Sequence, residues 1–329
     1  MEEQQASAGS HACPICANGE GNRVHRVAEL QFGTQESFRY LECAGCGCLS
    51  LMDVPDDWGR YYPDDYYSFS APRNRQQNGF VTRMRRQRSD ALLGRGSPVG
   101  RFLARFSKRP PYFDYLENLG LSTDSRIVDI GCGAGKLIYR MSRDGFGQVT
   151  GIDPHLAGDV TYDSGLVVRK AAIEDLDGQF DFAMLHHSFE HMSDPRGALA
   201  TVASHVRQGG HILLRVPVAG CFAWRRYGPA WVSLDAPRHV FIHSVGSIGI
   251  LAKELGLTPV RTFYDSGSRQ FYGSELFLRR LSLVEHQGRL LEHFTAEELE
   301  AFQAEAERLN RLRDGDTIGI ILRQDRSHG

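Results

Sequence analysis

The chain has 329 residues, with 38 basic against 40 acidic side chains and a formal net charge of -2. Hydrophobic residues make up 41% and charged residues 24%, which excludes a disordered or collagen-like chain and leaves room for two domains, or one with attachments. No run approaches the roughly 18 apolar residues of a membrane span, and Met1 to Ser10 lacks the basic-then-apolar layout of a signal peptide. The expectation is a soluble, cytoplasmic protein with no membrane partner.

The totals hide uneven parts. Five of the seven cysteines lie within the first 48 residues, and Cys13, Cys16, Cys43 and Cys46 form two C-x2-C pairs. Each pair offers two thiolates from a tight turn, as tetrahedral zinc requires. Between the pairs, 23–30 and 36–41 alternate well enough to predict a short hairpin. Four cysteine ligands leave no position open for water, so this zinc is expected to be structural; free thiols or a disulfide are the alternatives, the latter disfavoured in a cytoplasmic chain. Cys48 is a spare that could replace Cys46.

The aromatic run Tyr61 to Tyr67 comes next and is expected to pack the ribbon onto the following domain or to serve as a lid. Residues 71–110 hold eleven Arg or Lys and one acid, Asp90. Within that stretch Phe80, Val81, Met84 and then Val99, Phe102, Leu103, Phe106 recur at helical spacing. Their arginine-rich faces suit solvation or an anionic small molecule; without aromatic interleaving, nucleic acid is less favoured.

From Ser125 onward, short apolar runs alternate with helical patterns, the βαβ rhythm of an open parallel sheet. Strands are predicted at 126–130, 148–152, 166–169, 180–185, 211–216, 258–263 and 317–322. Val128 and Asp129 lead into Gly131, Cys132, Gly133, Ala134 and Gly135, a strand entering a glycine turn and then a helix. The G-x-G-x-G spacing is neither the dinucleotide fingerprint nor the P-loop, since Leu137 stands where a P-loop needs Ser or Thr. Asp153, followed by Pro154, ends the second strand with a carboxylate placed for ribose hydroxyls.

With these residues the chain resembles the class I S-adenosylmethionine-dependent methyltransferases over roughly 110–264. Phe180 to Pro195 is similar to that family's fourth strand and the "EH…DP" segment after it, and Gln208 to His211 to its "pGG" turn. The resemblance implies an α/β, Rossmann-like sheet of six parallel strands plus an antiparallel seventh, with a small N-terminal zinc-binding domain. The expected division is 1–70 zinc ribbon, 71–110 basic linker or lid, and 111–329 methyltransferase with a helical insertion at about 265–315. It further implies that Asp129, Gly131, Cys132, Gly133 and Gly135 hold the methionine moiety of S-adenosylmethionine and Asp153 with Pro154 the ribose. The family's acid after strand three is displaced here, so Glu174, Asp175 or a backbone group is expected to take its place, and His187 borders the same site.

A finer resemblance is to bacterial members with two C-x2-C pairs, a "YY" segment and a "G..W..LD.PRH" stretch, here Gly228 to His239. Those relatives include glycan and small-metabolite methyltransferases; zinc-bearing sugar C-methyltransferases are a further comparison. If the acceptor is a hydroxyl, a base must take its proton, and histidine suits neutral pH. Seven of thirteen histidines fall between 186 and 243. His239 is the first candidate base, with His187 and His191 as others. Arg238 is expected to hold an anionic acceptor, and Phe222, Trp224, Tyr227 and Trp231 to wall it.

His187, Glu190 and His191 spell H-x-x-E-H, an inverted zinc-peptidase pattern. After a fourth strand it is expected to line the methyltransferase pocket instead. Some quinone O-methyltransferases place a divalent metal on an E-x-x-E-H segment here, so Glu190 and His191 are candidate ligands for one; capping and bracing the loop is the alternative. The insertion's 295–313 reads as a helix with a Thr295–Glu298 capping box, and would cover the acceptor or mediate a homodimer. The expected reaction is methyl transfer to a small polar acceptor, an oxygen of a sugar, nucleotide-sugar or related metabolite, or less often a carbon. The alternatives are an RNA methyltransferase, and a non-catalytic cofactor-binding scaffold.

Overall fold

The structure, a computed structural model, describes residues 11–62, 72 and 78–325. Met1 to Ser10, the rest of the aromatic run after Tyr62, and Arg73 and Arg75 of the basic stretch lie outside the described residues. The N-terminal hairpin is β1 (Arg23–Ala28) with β2 (Ser37–Glu42), extended by β3 (Leu49–Leu51). Two helices follow, α1 (Gly79–Leu92) and α2 (Pro98–Arg105), then the short α3 (Phe113–Leu116). Asn78 and Ser97 cap the two longer helices with side-chain oxygens that accept backbone N–H bonds.

The larger half runs β4 (Ile127–Ile130), α4 (Lys136–Arg143), β5 (Val149–Ile152), β6 (Val160–Thr161), β7 (Val167–Arg169), β8 (Phe180–His186), α5 (Pro195–Ser204) and β9 (Val206–Pro217). It continues with α6 (Phe222–Tyr227), β10 (Phe241–Ile242), α7 (Val245–Leu255), β11 (Leu257–Tyr264), α8 (Arg269–Leu278), α9 (Leu283–His286), α10 (Ala296–Arg311) and β12 (Thr317–Gln324). Its sheet order is β11-β12-β9-β8-β4-β5-β7-β6. Six strands share one direction and β12 opposes its neighbours β9 and β11, as the resemblance implied. The chain winds outward from β4 in both directions, which opens a crevice at the carboxyl ends of β4 and β8.

All seven predicted strands form. An eighth, β6, pairs antiparallel with β7 and had no period to betray it in two residues. Strand β9 starts at Val206, earlier than predicted, because Val206 pairs with Phe180 before a register shift absorbs the glycines. The Thr295–Glu298 capping box is present at α10.

The ribbon is not a separate layer. Phe241 and Ile242 of β10 pair antiparallel with Ser50 and Leu49 of β3, so its sheet takes its fourth strand from the larger half. One continuous core runs from Val27, Tyr40 and Leu49 into Phe189, Ile212 and Trp231. The basic hairpin differs. Gly100 lets α2 approach the carbonyl of Gln87 closely, but the apolar residues Phe80, Val99, Phe102 and Phe106 point outward.

Candidate functional site

The crevice holds a cavity of about 440 Å³. Its walls include Ile130 and Gly131 at the end of β4, Asp153, Pro154 and His155 after β5, Ala172 to Glu174 after β7, and His187, Ser188 and His191 after β8. Gly131 has φ 71°, and a Cβ there would sit 2.4 Å from that of Ser188, so the turn requires glycine. Ser188 Oγ donates to the carbonyl of Ile130 and joins the two loops. Asp153 accepts backbone N–H bonds from Gly133 at 2.8 Å and His155 at 2.9 Å, which fixes its carboxylate at the cavity wall.

Asp129 lies behind that wall, buried, with Oδ1 lacking a hydrogen-bond partner among the described residues. Burial, with the Asp153 charge beside it, pushes its carboxyl up to about 8. Two such carboxylates favour a cationic ligand, which would satisfy the orphaned oxygen and offset the repulsion. S-adenosylmethionine, with a sulfonium, an α-ammonium and a ribose diol, fits that donor set.

A second cavity of about 270 Å³ adjoins the first, and His187 and His191 line both. Its other walls come from Ser233, Asp235 and His239 of the loop before β10, Arg215 of β9, Arg269 and Gln270 of α8, and Gln31 of the ribbon. His239 Nδ1 donates to the Ser233 carbonyl at 2.8 Å, which leaves Nε2 as an acceptor. That Nε2 lies 3.8 Å from Asp235 and 4.0 Å from Glu190. Burial, with His191 nearby, pushes His239 down to about 4, so it is neutral at pH 7. His191 Nδ1 similarly donates to the Arg238 carbonyl at 2.8 Å.

Glu190 is wholly buried. Burial alone would raise its carboxyl, but the hydrogen bond from His187 and the neighbouring imidazoles outweigh it and hold it at about 2. Its Oε2 has no partner among the described residues. Ligand atoms of Glu190, His191 and His239 all lie within 4.8 Å of one another, a donor set that fits a divalent cation.

The four cysteines also converge. Cys13 Sγ and Cys46 Sγ are 3.6 Å apart and Cys16 Sγ and Cys43 Sγ 3.4 Å, with all four within 4.8 Å. A tetrahedron of Zn–S bonds near 2.3 Å has edges of about 3.8 Å, so the set fits zinc. Cys48 points elsewhere, its thiol donating to the Leu49 carbonyl. None of the cysteines is in a disulfide.

A family model described as a methyltransferase domain matches residues 95–262, just over half of the chain. The chain belongs to this family. It is also similar to ubiquinone biosynthesis O-methyltransferases. The match to that of Xanthomonas axonopodis pv. citri is 33% identical and covers 39% of this chain and 59% of that protein. The match to that of Bordetella avium is 29% identical and covers 49% and 74%. This chain spans about half the length of the curated relatives it matches first. Among solved structures it is similar to an S-adenosylmethionine-dependent methyltransferase from Mesorhizobium loti, at 18% identity and TM-score 0.41, over 64% of this chain and 97% of that one. A cyclopropane synthase from Mycobacterium tuberculosis is similar at 16% identity and TM-score 0.40, over 82% and 95%.

Within this methyltransferase domain the expected residues fall into two groups. Gly131, Asp153, Pro154, Glu174 and His187 line the first cavity, whereas Asp129, Cys132, Gly133 and Gly135 shape the turn behind it. Arg238, Trp231 and Tyr227 line neither cavity. The Arg238 guanidinium is wholly buried and bonds Asp235 at 2.6 Å and Glu29 at 3.2 Å, so it is unavailable to an acceptor. Trp231 is buried with its indole N–H donating to Asp316, and the Tyr227 hydroxyl donates to Glu275. The "PRH" signal thus marks a brace at Arg238 and a cavity residue at His239.

Sequence reasoning missed Gln31, Arg269 and Gln270, which only tertiary packing brings together. Tyr62 was placed within the aromatic run but without a partner. Its ring stacks on His155 at 5.8 Å and its hydroxyl lies 3.2 Å from His191 Nδ1, at the mouth of the first cavity. Tyr61, by contrast, packs the ribbon, bonding Glu36 through its hydroxyl.

Proposed function

We propose that the chain transfers a methyl group from S-adenosylmethionine to an oxygen of a small polar acceptor, such as a sugar or nucleotide-sugar, with His239 as proton acceptor. The observation that carries this reading is the junction of the two cavities at His187 and His191. One cavity suits the cofactor and the other an acceptor small enough for about 270 Å³. S-adenosylmethionine supplies an electrophilic methyl on its sulfonium. The protein's part is to align the acceptor oxygen with that methyl, which contributes much of the rate. His239 Nε2 then takes the hydroxyl proton, and Asp235 and Glu190 beside it stabilise the imidazolium that results.

A second reading is favoured by the orphaned Glu190 oxygen. Glu190, His191 and His239 would hold a divalent cation that lowers the pKa of the acceptor hydroxyl, replacing the base. The four cysteines would hold a structural zinc ion in either case.

Incubating metabolite extract with methyl-labelled S-adenosylmethionine should yield a labelled small molecule. His239→Ala should lower its rate of formation by about 10² to 10⁴ while cofactor affinity stays within a few-fold. Turnover within a few-fold of the parent would refute His239 as the base. Loss of turnover on chelation, restored by a divalent ion other than zinc, favours the second reading.

A further inference from the structure

No residue of the α1–α2 hairpin lines either cavity. The hairpin packs on residues that precede β4 and β5, the end of the sheet opposite the cofactor crevice. Ser89 Oγ donates to the Asp144 carbonyl, and Asp90 accepts from Thr123 through both its N–H and hydroxyl. Between α1 and α4 lies a cleft of about 360 Å³ with four arginines on its walls, Arg85, Arg88, Arg140 and Arg143, and one carboxylate, Asp144. Asp144 stands 3.7 Å from Arg88 and also accepts from the Tyr112 hydroxyl. Four guanidinium groups against one carboxylate repel one another unless an anion joins them.

Next to that cleft is an apolar stripe. Val99, Phe102 and Phe106 occupy positions i, i+3 and i+7 along α2 and its carboxyl end, exposed at 50%, 66% and 73%. The rings of Phe102 and Phe106 are 5.0 Å apart. Arg88 ties stripe and cleft together, since its guanidinium bonds Ser107 and the Lys108 carbonyl just after Phe106. Residues 78–109 carry nine Arg or Lys against Asp90 alone. Aromatic residues beside arginines would also suit single-stranded nucleic acid. Val81 and Val99, however, offer no face for a base to stack on, while an acyl layer accepts valine and phenylalanine alike.

We propose that this hairpin is a docking face for an anionic lipid bilayer, with headgroup phosphates in the arginine cleft and Val99, Phe102 and Phe106 in the acyl boundary. The stripe is short and carries basic residues on its flanks, the arrangement of a helix that lies in the membrane surface. No helix among the described residues is long and apolar enough to cross a membrane, and adsorption needs none. The expectation of no membrane partner rested on the lack of a spanning run and of a signal-peptide layout, and adsorption to a surface requires neither. Docked by the hairpin, the molecule would keep both cavities turned toward water, so the surface serves location and not delivery of a lipid into the site.

Sedimentation with vesicles tests this. Phosphatidylcholine vesicles containing phosphatidylglycerol should carry the full chain down at low salt, and pure phosphatidylcholine vesicles should not. Phe102→Ser with Phe106→Ser, and separately Arg85→Gln with Arg140→Gln, should each weaken that binding by about twentyfold. Leu291→Ser, at an exposed apolar residue outside the hairpin, should leave it unchanged. Retained binding of labelled S-adenosylmethionine certifies that each variant is folded. The proposal is overturned by failure to sediment with the anionic vesicles, or by binding that both double variants leave intact. It is equally overturned if an oligonucleotide binds more tightly than vesicles, or if the phenylalanine pair governs only self-association.

Discussion

The ribbon and the basic hairpin are both attachments to one methyltransferase sheet, yet they are joined by opposite means. The ribbon gives up its independence: β10 completes its sheet, and its core continues into the larger half. At the join, Glu29 is buried under the hairpin turn, where it accepts from the N–H groups of Phe32 and Thr34 and from Arg238. Arg238 in turn holds Asp235 well below the usual carboxylate range, against the rise that burial alone would cause. The hairpin keeps Phe80, Val99, Phe102 and Phe106 outside and rests on Leu92 and Leu93 at the end of α1 and on polar contacts such as Asp90 to Thr123 and Arg86 to Asp124. One attachment is part of the core and helps to build a cavity through Gln31; the other is a surface.

The largest effect should come from removing the zinc proposed at the four cysteines. Structural zinc sites contribute on the order of 10 kcal/mol to folding, so chelation or Cys13→Ser should unfold the ribbon. Because the core is shared, calorimetry should show the whole chain losing stability in one transition. Two separate transitions would make the ribbon an independent domain, and metal analysis of fresh protein should find about one zinc bound at the cysteines.

Next is the brace. Arg238→Met leaves Glu29 and Asp235 buried without their cation and should cost about 3–5 kcal/mol, read from urea unfolding. A loss under about 1 kcal/mol would mean that the join is held by the strand pairing and core alone.

A smaller effect is set by pH. His243, directly after β10, is wholly buried against Phe189 and Phe241, and burial pushes it down to about 4. Its unfolded value is near 6.5. As pH falls below about 6.5 the unfolded chain binds this proton first, so stability declines between about 6.5 and 4. The decline should be shallower in His243→Gln, and an unchanged slope would remove His243 as a contributor. The smallest effect belongs to the hairpin: Phe102→Ser with Phe106→Ser should shift unfolding by no more than about 0.5 kcal/mol. A larger loss would show that the stripe is packed.

The sequence carried most of what is local. The two C-x2-C pairs predicted a cluster that forms, with Cys48 left out as the spare. The short apolar runs predicted every strand of the main sheet except the two-residue β6, while β3 and β10 of the ribbon sheet were not predicted. Asp153 and Gly131 were legible because a strand end and a glycine turn each have a fixed chemistry in a fixed place. Exposure was less legible. Helical spacing found Phe102 and Phe106, but period says which residues share a face and not whether that face meets the core.

The sequence by itself determined the seven main strands, the family, and the crevice at the carboxyl ends of β4 and β8, because those follow from spacing along one strand or turn. Only the tertiary structure decided what Arg238 and His239 do. Neighbours in the chain, they point to opposite fates: Arg238 into a buried charge cluster with a residue 209 positions away, His239 into the second cavity. Only packing, likewise, brought Gln31 and Arg269 to one wall. Contacts at such separations depend on how two sheets close on a shared core, and no local pattern records that closure.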